Sequence, residues 1–81
     1  MMAVRVLPQQ QRAVLVAMAN GLSVGETARY LCLAPATVKS HRRLLYRRLR
    51  VRSGAHAVAT ALRVGLLDPD DIRVPVGGER P

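Results

Sequence analysis

Seven basic side chains, Lys39, Arg42, Arg43, Arg47, Arg48, Arg50 and Arg52, fall within the twenty residues Ala34 to Ser53, a stretch without Asp or Glu. Guanidinium and ammonium groups at this density are anion-binding chemistry. Inside a nucleic-acid groove they donate to guanine O6 and N7; at its walls they neutralise phosphates, with an affinity that falls steeply with salt. Other chemistries are poorly represented. No nucleophile, base and orienting group occur together, and Gly21 and Gly25 occupy helix-boundary or exposed positions rather than a phosphate loop, so no enzyme is indicated. His41 and His56 are lone imidazoles without paired carboxylates, a poor metal set, and no cofactor is expected.

The segment holding these groups reads as a helix from Pro35 to about Arg50. On a 3.6-residue wheel Val38, Leu45 and Leu49 share an inner face, completed by His41 or Arg42, while Lys39, Ser40, Arg43, Arg47 and Arg50 lie on opposing or flanking faces. Leucines at 44, 45 and 49 allow a plainer reading, a packing helix with soluble-surface arginines. Charge spacing argues against it. Lys39–Arg43 and Arg43–Arg47 are like-charged four-residue pairs, each costing the isolated helix about 0.2–0.5 kcal/mol. A surface that gives up this stability implies an anionic partner.

Three further helices are expected to build the support. "PQQQRAVLVAMANG" carries the first, with Pro8 in its first turn, Gly21 as the left-handed residue past its end, and an apolar stripe of Val14, Leu15, Met18 and Leu22. "SVGETARYL" starts the second, where Ser23 and Glu26 have capping-box spacing and Thr27, Ala28 and Leu31 form the inner face. "CLA" connects it to the basic helix. After "VRSG", Ser53 caps a fourth helix from about Gly54 to Val64, ended by Gly65. The short second helix, three-residue connection and longer third helix form a helix-turn-helix, in which the third helix enters the major groove and the second crosses the backbone.

The expected fold is therefore all-α, a four-helix helix-turn-helix bundle without a wing. Residues 1–6 read as an N-terminal arm, 7–67 as the domain, and 68–81, with Asp68, Asp70 and Asp71 at their start, as a flexible C-terminal tail. Eighty-one residues with 49% hydrophobic content support one small core, and without Phe or Trp that core must be aliphatic. The formal net charge of +8 favours nucleic acid as partner, with an anionic membrane surface or a generally high arginine content as alternatives. A membrane-surface helix would carry Trp or Phe opposite its charges, and both are missing. Cys32 has no partner for an internal disulfide and reads as a buried thiol in a tight turn. With no signal segment or apolar span, the expected compartment is the cytoplasm, at the nucleoid. Tyr30 and Tyr46 are too few for a single-strand platform and point to packing or a phosphate hydrogen bond.

Four segments carry a family resemblance: "LPQQQRAVL", "NGLSVGETARYL", "TVKSHRRLLYRRLRVRS" and "AVATAL". Together, from about Leu7 to Leu67, they resemble the DNA-binding domain of LuxR/NarL-type (GerE-like) bacterial transcriptional regulators. The most specific parts are Thr37-Val38-Lys39-Ser40-His41, Leu49-Arg50-Val51 and the run from Gly21 to Ala28. Carried over position by position, the resemblance implies base reading by Lys39, Ser40 and Arg43. It implies phosphate contacts by Thr37, His41 and Arg47, with Ser23 near the backbone, and two-fold dimers through the fourth helix. The chain departs from the pattern at Gln11, usually Glu; at Val24-Gly25, usually Asn-Lys; and at Thr27, usually Ile. Cys32 replaces a Gly, Ala34 a capping Ser, and Gly54 an Arg.

The implied function is a stand-alone transcriptional regulator that reads double-stranded DNA. Ala55, Ala57, Val58, Ala59, Ala61, Leu62 and Val64 are more apolar residues than one core-facing stripe requires, which fits a homodimer through the fourth helix. Two alternatives stay open. One is an adaptor that binds RNA polymerase or a regulatory protein and holds DNA only weakly and without sequence preference. The other is a module similar to region 4 of a bacterial sigma factor, which "VRSGAHAVATALRVGLL" disfavours because region 4 has no counterpart to it.

Overall fold

The computed structural model describes residues 7–73; the arm at 1–6 and residues 74–81 of the expected tail lie outside them. Among the described residues four α-helices follow one another, α1 (Gln9–Ala19), α2 (Val24–Leu31), α3 (Pro35–Leu49) and α4 (Gly54–Val64), and then a 3-10 turn at Pro69–Asp71. Among the described residues there is no strand, and no helix is long and apolar enough to cross a membrane. The all-α, four-helix expectation holds.

Each boundary has a local chemical cause. Pro8 occupies the residue just before α1 rather than its first turn, and its carbonyl accepts from Arg12 N at 3.0 Å. At the other end Gly21, at φ 83°, lets Leu22 N return to Ala17 O at 3.0 Å and Gly21 N to Met18 O at 3.0 Å. This pair of hydrogen bonds satisfies carbonyls that a helix end otherwise leaves open. α2 starts with the expected capping box and stops at Cys32, in the left-handed region at φ 58°. α3 starts without a side-chain cap because Ala34 has no acceptor, and Pro35 supplies the preset first turn. It stops at Arg50, also at φ 58°. Ser53 Oγ accepts from His56 N at 3.1 Å to start α4, and Gly65, at φ 84°, ends it.

Cys32 differs from expectation: it is exposed, not buried. Its left-handed backbone turns the chain, and the residue after it does the packing. Leu33 N returns to Ala28 O at 2.8 Å, and the Leu33 side chain packs against the core.

The core is aliphatic. Val14 and Leu15 of α1, Val38 and Leu45 of α3, and Ala57 and Ala61 of α4 are fully enclosed, joined by Ala28, Leu49, Val51, Leu66 and Leu67. α3 packs against all three other helices. Ala57 and Ala61, four residues apart on one face of α4, present only methyl groups to the core.

Residues 68–73, assigned from composition to the tail, make a local structure of their own. Asp68 Oδ1 accepts from Asp70 N at 2.8 Å, and Asp71 Oδ2 accepts from Asp68 N at 2.9 Å. The turn is then tied to α1. Arg12 pairs with Asp71 at 3.2 Å, Asn20 Nδ2 donates to Asp71 O at 2.9 Å, and Arg73 N donates to Asn20 Oδ1 at 2.6 Å. Ile72 packs against the core.

Thr27 is fully buried and its Oγ1 has no hydrogen-bond partner. Burying an unsatisfied hydroxyl costs about 1–3 kcal/mol. The near-isosteric Thr27→Val removes that cost and keeps the volume. It should raise the urea unfolding free energy by about 1 kcal/mol or more; an unchanged or lowered midpoint would mean that the hydroxyl is satisfied in solution.

Candidate nucleic-acid interface

The geometry of the interface follows from one-sided burial of α3. Val38, Leu45 and Leu49 recur at seven- and four-residue spacing and anchor one face. Lys39, Ser40, Arg43 and Arg47 are consequently all exposed, and so is Thr37 near the helix start. Among the described residues, Lys39, Arg43 and Arg47 make no ion pair. Their charge is available for an outside anion. The structure thus brings six of the seven expected contact residues onto one helix, with Ser23 contributed by α2.

His41 and Arg42, between which the sequence left the inner face open, are both half-buried. They do different things. Arg42 Nη2 donates to Leu22 O at 3.2 Å, so this guanidinium ties α3 to the turn between α1 and α2. It is a positioning residue within a basic run: the helical wheel left it open for the inner face, and its partner twenty residues away is what the sequence could not supply. His41 Nδ1 is buried without a partner. Its half-exposed ring lies on the shoulder of α3 rather than at the centre of the exposed face, consistent with a groove wall.

Ser23 sits at the start of α2 and is already engaged. Its Oγ accepts from Glu26 N at 3.1 Å, and its own N donates to Glu26 Oε1 at 2.8 Å. The hydroxyl hydrogen remains free to donate, so capping and a phosphate contact are compatible. The backbone hydrogen bond from Ser23 holds the Glu26 carboxyl below the usual range, helped by the Ser23 side chain and the nearby Arg29 charge.

The remaining candidates lie elsewhere. Tyr30 is exposed and lines a groove of about 630 Å³ with Val16, Asn20, Leu22 and Asp71, between α1, α2 and the 3-10 turn. None of the expected contact residues lines that groove. Tyr46 is half-buried, its hydroxyl 3.9 Å from Met18 Sδ, so it packs α3 against α1. His56 is exposed on α4. Among the described residues no group of three or more His, Cys, Asp or Glu could hold a metal ion.

Residues 5–61 match the family described as bacterial regulatory proteins, luxR family. The chain belongs to the luxR family of bacterial regulatory proteins. Its four helices are a LuxR-type helix-turn-helix, the DNA-binding module of transcriptional regulation. Two curated relatives carry the name "Probable transcriptional regulatory protein NarL", from Mycobacterium tuberculosis strains CDC 1551 / Oshkosh and ATCC 25618 / H37Rv. Each is 46% identical over 63 residues, which cover 78% of this chain and 29% of the relative. The chain therefore spans under a third of the length of these relatives. No solved structure matches it significantly.

Two outcomes test the supports of the interface. Arg42→Ala leaves the Leu22 carbonyl without its donor and should lower unfolding free energy by about 1–3 kcal/mol; urea melts measure this, and an unchanged melt would show the contact to be dispensable. Glu26 is a carboxyl held low by folding, so its contribution is present above the unfolded value and lost as pH falls through the folded one. The gap in melting temperature between wild type and Glu26→Ala should therefore close as the buffer is taken from neutral to acidic.

Proposed function

We propose that the chain reads double-stranded DNA sequence-specifically, with α3 inserted in the major groove and two copies related by a two-fold axis through α4. Lys39, Ser40 and Arg43 face base edges; Thr37, His41 and Arg47 contact phosphates from α3, and Ser23 does so from the start of α2. The observation that carries this reading is the exposed, acid-free face of α3, whose opposite face is locked into the core. A helix so held fixes the backbone from which its cations reach out, so that binding has only their side-chain rotamers left to order. Arginine suits bidentate reading of guanine, whereas charges at the groove walls contribute affinity for any sequence.

Pairing through α4 is supported by its outward residues. Ala57 and Ala61 take the buried stripe, leaving Ala55, Ala59 and Val64 exposed and Val58 and Leu62 half-buried. Val58 and Leu62 pack partly against the core, while Ala55 and Ala59, one turn apart on the exposed side beside His56 and Arg63, are small enough to let two helices approach closely. The complete, capped fourth helix also favours a regulator of this family over a sigma region 4-like module.

Selection of bound duplexes from a random pool, at physiological salt, tests the reading directly. Enrichment of a two-fold symmetric motif is expected; an unenriched pool would move the protein-adaptor function ahead. On the selected duplex Arg43→Ala should flatten discrimination between matched and altered bases. Arg47→Ala should weaken all duplexes similarly and reduce the salt slope by about one. Equal, modest effects of both changes on every duplex would dissolve the division into reading and anchoring residues.

A further inference from the structure

Leu44 is one of three large hydrophobic side chains that are clearly exposed among the described residues, at 42%. A solitary exposed leucine on an ordinary surface needs no explanation. The location of this one does. Leu44 stands one turn after Ser40, one turn before Arg48 and three residues before Arg47, so it shares the outward face of α3 with the groove-facing set. It does not belong to the core cluster, and the 42% of it that is exposed on this face is not needed for packing. The other two exposed large hydrophobics lie away from this face, Tyr30 on α2 and Val64 at the end of α4.

We infer that Leu44 is a further specificity-determining residue, reading the C5-methyl group of a thymine in the major groove. The inference rests on the major-groove reading proposed above and deepens it. Charge decides the occupant. The surface around Leu44 carries Arg43, Arg47 and Arg48 and no carboxylate in the whole of α3, so a polyanion is the partner it attracts. Within the major groove of such a partner, the thymine methyl is the one apolar group on the base edges, and small or branched apolar side chains recognise it. Ser40 and Arg43 supply hydrogen-bonding readout, and Leu44 adds the methyl contact they cannot make. Its burial in the complex removes from water both its own exposed surface and the methyl. Polar groups at the same position would gain nothing from that methyl.

The test uses the full chain and the duplex recovered by selection, with each thymine replaced in turn by deoxyuridine, which lacks only the methyl. At one thymine position per half-site, the unaltered protein should bind the deoxyuridine duplex about fourfold more weakly, the factor expected for one methyl-sized group removed from water. Leu44→Ala should lose about that factor on the thymine duplex and no longer distinguish thymine from deoxyuridine, whereas Leu44→Met should keep most of the discrimination. Leu44→Ala is expected to stay folded with at most a modestly lowered melting temperature, since 42% of the residue is exposed. Equal affinity of the unaltered protein at every thymine position would overturn the inference while leaving the selected motif, and with it the base-reading function, intact. Retained methyl discrimination by Leu44→Ala would also overturn it, assigning the contact to another side chain. A pool without an enriched motif would remove base reading itself, and this inference with it. The deoxyuridine series on the unaltered protein decides the matter even if a variant fails to fold.

Discussion

Burial of one face of α3 is the constraint on which everything else depends. Val38, Leu45 and Leu49 place this helix at the centre of the bundle, in contact with each of the other three. Because the same helix has one apolar face and one cationic face, the packing that stabilises the fold also points the cations outward. A helix with charge on both sides would have no stable seat, and one with apolar residues on both sides would be swallowed by the core. The interface is thus the back of the hydrophobic core, separated from it by the width of a helix. Its rigidity comes from aliphatic packing rather than from polar contacts among the cations themselves.

Around that seat the chain tolerates several local costs. Cys32 and Arg50 adopt left-handed backbone without being glycine, at the ends of α2 and α3. In the left-handed region the Cβ crowds the following carbonyl oxygen, at a cost of roughly 1–2 kcal/mol per residue. Both residues sit where the chain must reverse within a few residues to bring the next helix against the core, and Leu33 and Val51, immediately after them, are pulled inward. Among the described residues four polar atoms, on Gln11, Thr27, His41 and Arg42, are enclosed without partners. Gln11 and Thr27 sit in the buried layer, each with one side-chain oxygen that has nothing to bind.

The acidic residues are handled apart from the cations of α3. Asp68 and Asp71 use their carboxylates on the backbone of their own turn, the Asp70 N–H donating to Asp68, and Asp71 meets Arg12 on α1. Asn20 completes the clasp with one side chain that both donates to Asp71 O and accepts from Arg73 N. Composition read this region as a tail because proline and aspartate have no periodic apolar face. Capping chemistry at such short range is independent of periodicity, and only the spatial return of the chain to α1 reveals the anchoring.

The sequence by itself determined the four helices, because their signals are local. Ser23 with Glu26, Pro35, Ser53, Gly21 and Gly65 each mark a boundary through backbone conformation or a hydrogen bond within a few residues. The periodic spacing of Val38, Leu45 and Leu49 was equally legible, and with it the outward direction of Lys39, Arg43 and Arg47. What only the tertiary structure decided depends on contacts far apart in the chain. Arg42 is separated from the other arginines by its bond to Leu22 O, twenty residues away, and no count of charges could have distinguished it. Leu44 is apolar and adjacent to a core residue, so its exposure depends on the azimuth at which α3 packs. Cys32 emerges at the surface because the reversal it makes is filled by Leu33. In each case the residue type was compatible with either environment, and packing against other helices made the choice.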